Sequence, residues 1–319
     1  YLLILGSFLF TLNQTRAQLI EELNITLEKN REYKLSPEGN ISSLAIRSST
    51  NFDELGLLIN GERINVNRNT HFESNISSLI FPPAKVKSIQ LSSDNQSQLS
   101  IYLLRVPELN LSKKNSSRLS RDSCEKPEGI DQNICRAGLP APTASPTINQ
   151  VSHCIVHHSA GSNIDTNYTE TVRNIYLYHT GVNGWDDIGY NYLIAPDGTL
   201  FYGRDGMNQI PDDNVRGAHF CAKNTGTMGI CLLGNFMTVV PQTDALKTLK
   251  DLLLWKLHKE SLQPSGSSIH PLPGGSPLGH VAGHRDGCAT DCPGTFLYAE
   301  IPGIKNELDN RIGNCTPLN

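Results

Sequence analysis

At about residue 150 the apolar residues change their period, and that break constrains the fold more than any other feature. Residues 18–107 carry short β-like runs set off by turn residues: 55–60 before Gly61, 64–66, 78–81 before Pro82-Pro83, and 101–106. Runs this short at this spacing favour a small antiparallel sandwich. From 150 onward strands alternate with helices. Residues 152–158 (SHCIVHH) form a compact apolar strand. Residues 169–179 then place Val172, Ile175, Tyr176 and His179 at i, i+3, i+4 and i+7, one buried stripe of a helix. Runs 190–195 and 199–202 flank the hairpin signal Pro196-Asp197-Gly198, and 229–233 is another apolar strand. Residues 243–261 carry Leu246, Leu249, Leu253 and Leu257 on one helical face. Residues 302–312 read as a last helix, with Pro302 in its first turn and Ile304, Leu308 and Ile312 inward. The fold expected is α/β: a central mixed β-sheet flanked by helices over 150–319, preceded by a small β-rich, sandwich-like domain.

Between the two lies a polar Ser/Asn/Lys-rich stretch, 108–124, which reads as a linker. The following run to 149 contains Pro140, Pro142 and Pro146, which exclude a central strand or helix and predict an extended path over the next domain. At the other end, an apolar run over 2–12 followed by Thr15-Arg16-Ala17 resembles the core and cleavage site of a secretory signal, truncated at its start. It is far short of the roughly 20 apolar residues of a spanning helix. The chain is expected to be exported, to the periplasm or outside the cell, with mature protein from Gln18 and no membrane span. Export permits disulfides, and Cys124 with Cys135 is one candidate pair.

Composition removes other classes. With 38% hydrophobic and 18% charged residues the chain is too apolar to be disordered. Its net charge of −4 excludes the clustered basic surface needed to hold nucleic acid. What is uneven is the placing of soft ligands: all eight Cys lie at Cys124 or later, and of ten His only His71 precedes His153. Chemistry therefore belongs to the second half.

Three sets of residues stand out there. His157-His158 closes a buried strand, where open α/β sheets bind ligands. Side chains alternate faces, so the two His cannot both enter one site. His284-Arg285-Asp286 is followed by Cys292-Pro293-Gly294, and Gly184 to Asn191 reads GWDDIGYN. Two His and a Cys suit a three-ligand zinc site with a fourth position left for water. The competing reading makes both His packing residues and pairs Cys288 with Cys292.

The pieces SHCIVHHSAG, GWDDIGYNYLIAPDGTLFYGRDGM, RGAHFCAKNTGTMGICLLGNF and GHRDGCATDCPGTFLY occur in this order between 152 and 298. Together they resemble the type 2 N-acetylmuramoyl-L-alanine amidases, the family of peptidoglycan recognition proteins and phage amidases. The likeness implies His157, His284 and Cys292 as zinc ligands and Tyr190 as the catalytic tyrosine. Thr290, implied as a second catalytic residue, takes a position held by lysine in the phage enzymes and threonine in catalytic recognition proteins. His219 matches a groove position and implies substrate contact. Arg204 is either a partner for a stem-peptide carboxylate or a structural ion pair, and Asn224 either contacts the groove or satisfies loop backbone. His153, His158 and Trp185 read as structural, and Cys154 and Cys231 as buried thiols. The implied activity is zinc-dependent hydrolysis of the bond between muramoyl lactyl group and L-alanine in bacterial peptidoglycan, by a monomer. The alternative is a non-catalytic peptidoglycan binder, but such members typically lose the Cys ligand and Cys292 is present. Residues 18–120 lie outside the resemblance.

Overall fold

The computed structural model describes residues 19–69, 75–109, 124–271 and 275–316. The expected secretory signal and most of the expected linker lie outside the described residues.

Seven strands build the N-terminal part: β1 (Ile20–Leu27), β2 (Glu32–Leu35), β3 (Ser43–Ser48), β4 (Leu55–Ile59), β5 (Glu62–Ile64), β6 (Ile89–Ser93) and β7 (Ser97–Leu104). They form two antiparallel sheets, ordered β1-β7-β3 and β2-β6-β4-β5. Alternation explains the core between them. Leu55, Leu57 and Ile59 of β4, Ile89 and Leu91 of β6, and Leu99, Ile101 and Leu103 of β7 all point inward. The expected run 78–81 is not a strand and meets β3 only at an isolated bridge between Leu44 and Ile80.

The last residues of β7 are buried on both faces. Tyr102 and Leu104 turn away from the sandwich core and pack with Leu19, Ala45, Ile76 and Val106 against Leu177, Tyr178 and Val182 of the second half. Polar groups are satisfied across the same contact. Ser42 and Ser43 each donate to Asn174 Oδ1 at 2.7 Å, and the Tyr178 hydroxyl donates to the Ser77 carbonyl at 2.9 Å.

The segment from 124 to 149 drapes over the second half, as its prolines predict. Ahead of those prolines it forms one short helix, α1 (Gln132–Arg136), capped by the Asp131 carboxylate. The Cys124 partner is Cys315, not Cys135, which is a buried free thiol. That disulfide fastens the segment to the far end of the chain.

The elements that follow are β8 (His153–His158), α2 (Tyr168–Leu177), β9 (Tyr192–Ile194), β10 (Leu200–Tyr202), β11 (Thr227–Leu232), α3 (Thr243–Lys259), β12 (Ser267–Ile269), β13 (Pro277–Gly279), β14 (Val281–Gly283) and α4 (Thr295–Ile312). Five of the strands make a mixed sheet ordered β10-β9-β11-β8-β14, with β10 antiparallel and the others parallel. α4 begins seven residues earlier than the sequence suggests, at Thr295, so Pro302 lies within it, on the exposed side. Cys154, Val156, Met228, Ile230 and Leu232 face α3 and α4, whose Leu249, Leu253, Leu297, Ile301 and Leu308 close that layer. Leu193 and Cys231 face α2 through Val172, Ile175 and Tyr176. β8 lies between β11 and β14, parallel to both, and the C-terminal ends of these three strands converge beside His157.

Candidate metal centre

His157 is carried by the penultimate position of β8 and takes the α2 face of the sheet, while His158 takes the other. His158 Nδ1 accepts from the Phe236 N–H at 3.3 Å, so it braces a loop. The neighbouring parallel strand β14 ends at Gly283 and delivers His284 into a single 3₁₀ turn, His284–Asp286. Asp286 holds that turn, accepting from the Gly283 N–H at 2.7 Å and from the Tyr298 hydroxyl at 2.5 Å. The loop then returns, tied by the Arg285 N–H to the Cys292 carbonyl at 3.0 Å. Gly294, at φ +92°, lets it pass Phe236, whose backbone would meet a Cβ there at 2.5 Å.

These elements bring His157, His284 and Cys292 together, all fully buried, with one donor atom of each within 4.8 Å of the others. Cys292 Sγ lies 3.6 Å from His157 Nδ1. A tetrahedral zinc ion with Zn–N near 2.0–2.1 Å and Zn–S near 2.3 Å separates S from N by about 3.6 Å, so this edge already has the right length. Burial pushes the Cys292 thiol well up, against the pull of the His158 backbone N–H and the Arg285 charge. A thiol so placed releases its proton readily only when a cation takes its place on the sulfur. The donor set and its spacing fit zinc. Cys288 is not the Cys292 partner; it pairs with Cys221.

Tyr190 sits beside this set, its ring centroid 5.3 Å from that of His157. Burial and the neighbouring Cys231, with which the hydroxyl hydrogen-bonds, hold its pKa well above the usual value, so it remains a neutral donor. Sequence reasoning took Cys231 only as a buried thiol. Its register opposite His157 in adjacent β11 is what places it here. His179 is a second residue missed: its Nδ1 accepts from the Gly189 N–H at 3.1 Å and its ring lies 4.6 Å from Trp185. Its place on the buried stripe of α2 was the available signal.

His219, Asn224, Arg204 and Thr290 each make hydrogen bonds within the protein around this site. His219 is 1% exposed, with Nδ1 3.0 Å from His157 Nε2 and Nε2 3.3 Å from the Thr227 hydroxyl. Burial lowers its pKa to about 3, which keeps the ring neutral. Asn224 Oδ1 accepts from the N–H groups of His219 and Phe220 at 2.7 and 2.9 Å, so it satisfies loop backbone. Arg204 donates to the carbonyls of Ile188 and Asp187 at 2.9 and 3.1 Å and fixes the turn before Tyr190. Thr290 is half-buried, its hydroxyl accepting from the Cys292 N–H at 3.2 Å.

Fold and site together define a class: a mixed α/β sheet bearing a buried His–His–Cys donor set at its parallel strand ends. Residues 147–295 match the family model described as N-acetylmuramoyl-L-alanine amidase. Peptidoglycan-recognition protein SC1a/b of Drosophila simulans is 33% identical over 157 residues, covering 49% of this chain and 74% of the relative. Peptidoglycan recognition protein 1 of Bos taurus is 34% identical over 154 residues, 47% and 70% of the two chains. Among solved structures, Drosophila PGRP-LB aligns at 25% identity with a TM-score of 0.45, over 60% of this chain and 98% of its own. The chain belongs to the peptidoglycan-recognition protein family.

Proposed function

We propose that this protein is a zinc-dependent N-acetylmuramoyl-L-alanine amidase that acts on bacterial peptidoglycan outside the cytoplasm. The observation that carries the reading is the convergence of His157, His284 and Cys292 within 4.8 Å beside the Tyr190 ring. These three residues would hold the ion. When bound, zinc supplies a polarised carbonyl and a water acidic enough to attack at neutral pH.

The chain's own groups do the rest. Tyr190, neutral and desolvated, can donate its hydroxyl proton as a hydrogen bond to the oxyanion that forms at the scissile carbonyl. His219 fixes the His157 ring, since a neutral imidazole with one nitrogen in a hydrogen bond offers the other to a cation. The Arg204 and His179 contacts fix the backbone on which Tyr190 rides.

The disulfides Cys124–Cys315 and Cys221–Cys288, bonds of an oxidising compartment, support export. The test is digestion of purified peptidoglycan followed by mass spectrometry. Free stem peptides beginning with L-alanine beside intact glycan, lost on chelation and restored by zinc, are expected. Wall that is bound but uncut would make the protein a binder instead.

A further inference from the structure

The disulfide Cys221–Cys288 joins the two loops that bracket the donor set. Cys221 lies two residues beyond His219, and Cys288 lies between His284 and Cys292. Neither is used by the reaction above. Cys221 Sγ stands 3.5 Å from His284 Nε2, and the donor atoms of Cys221, His284 and Cys288 all lie within 4.8 Å of one another. His284 therefore belongs to two donor trios. The inner one is buried; in the outer one Cys221 is exposed and Cys288 half-buried.

We propose that Cys221, His284 and Cys288 form a second, redox-gated site for a soft divalent cation such as zinc, shut while the disulfide stands and opened by its reduction. Two thiolates and an imidazole are a zinc-type donor set, with water free to complete the tetrahedron. The sulfurs should stay adjacent when the bond opens, because other contacts hold the loops. Lys223 Nζ donates to the Gly287 carbonyl at 2.9 Å, and Phe220 lies so close that a Cβ on Gly287 would meet its ring at 2.2 Å.

The opening step balances. A dithiol reductant gives two electrons and two protons to the protein sulfurs and is itself oxidised to a disulfide. Each protein thiol then loses its proton on binding the cation. Exposure of Cys221 gives the reductant access. The outer site stands whether or not the protein is an amidase. Only what filling it does to the inner trio, through the shared His284, rests on that reading.

The test removes the inner site and counts metal. A His157→Ala, Cys292→Ser chain is titrated with Co²⁺ before and after treatment with a phosphine reductant that is then desalted away. Without reduction no thiolate-to-cobalt charge-transfer absorption is expected. After reduction the band should appear, with about one cobalt per chain that zinc displaces. It should vanish when Cys221→Ser or Cys288→Ser is added. No band after reduction, or a band that survives both Ser substitutions, overturns the proposal. If the inner-site variant does not fold, the unmutated chain gives the same reading. Its band should grow on reduction, and the growth should be absent in Cys288→Ser; equal growth in both sinks the site.

Discussion

The His157 ring is held from two sides, by Cys292 Sγ at 3.6 Å and by His219 Nδ1 at 3.0 Å, and the two contacts make different predictions. His219 touches no reacting atom, so its loss should act through the metal. His219→Ala is expected to weaken zinc binding by about 10- to 100-fold, measured by competition with a chromophoric chelator, and His219→Gln to recover part of the loss. Unchanged affinity would return His219 to a packing role. Tyr190→Phe should do the reverse: zinc content intact, turnover of peptidoglycan lower by about 10²- to 10³-fold, the cost of one oxyanion donor. Loss of metal in that variant would make Tyr190 structural. The difference between these residues was only partly legible in the sequence. Alternation along SHCIVHH says that only one of His157 and His158 enters the site, because period 2 is a property of any strand, and the family likeness says which. For His219 the likeness implies substrate contact, and for Arg204 and Asn224 it leaves a structural role open, because motif position carries identity but not burial. The partners of His219 and Arg204, a ring nitrogen and two carbonyls, come from segments that only the fold brings near, whereas Asn224 bonds N–H groups of its own loop.

Among the elements, the turn 184–191 that delivers Tyr190 contains an unusual acid. Burial pushes the Asp187 carboxyl up to about 6, against the pull of Arg204 and the Ile188 N–H. An unfolded Asp titrates near 3.9, so the folded chain binds this proton more tightly than the unfolded one. That contribution to stability is complete below about pH 4 and is lost as pH rises through 6. Relative to Asp187→Asn, the unmutated chain should therefore lose up to about 3 kcal/mol of unfolding free energy between pH 4 and pH 7. Urea unfolding of both chains at the two pH values measures it, and a difference that does not change with pH would refute it. Elements themselves were easier to read than this burial. The α3 stripe and the β9–β10 hairpin follow from period and turn chemistry alone. The start of α4 did not, because Pro302 looks like a first-turn residue. Its neighbours Leu297 and Ile301, packed on β14 and α3, hold the helix through it.

At the scale of the whole molecule the two halves are not beads on a linker. The run 101–104 reads in sequence as an ordinary apolar strand, and nothing in its composition says that Tyr102 and Leu104 face a second partner. That partner is α2 and the turn after it, the wall of the sheet on which His157 and Tyr190 lie. Arg173 makes the same point from the other side. It is a buried arginine whose guanidinium donates to the carbonyls of Cys135, Ala137 and Pro107, so it gathers the end of the N-terminal domain and the draped segment onto one helix. Removing residues before Cys124 would uncover Leu177, Tyr178 and Val182 and leave Asn174 without its two serine donors. At about 1.5–3 kcal/mol for each of these three side chains, the loss is about 5–9 kcal/mol. For a domain of this size that lowers the melting temperature by roughly 10–35 °C. Tyr178→Ala in the full chain should give a smaller fall in the same direction, about 3–5 kcal/mol at most, since it empties one packed site and leaves the Ser77 carbonyl without its donor. Thermal unfolding followed by circular dichroism, with dye binding to report exposed apolar surface, measures both. A truncated chain that melts where the full chain does, without taking up dye, would make the sandwich a dispensable attachment. The expected result makes it part of the scaffold that keeps α2, and through it Tyr190, in place.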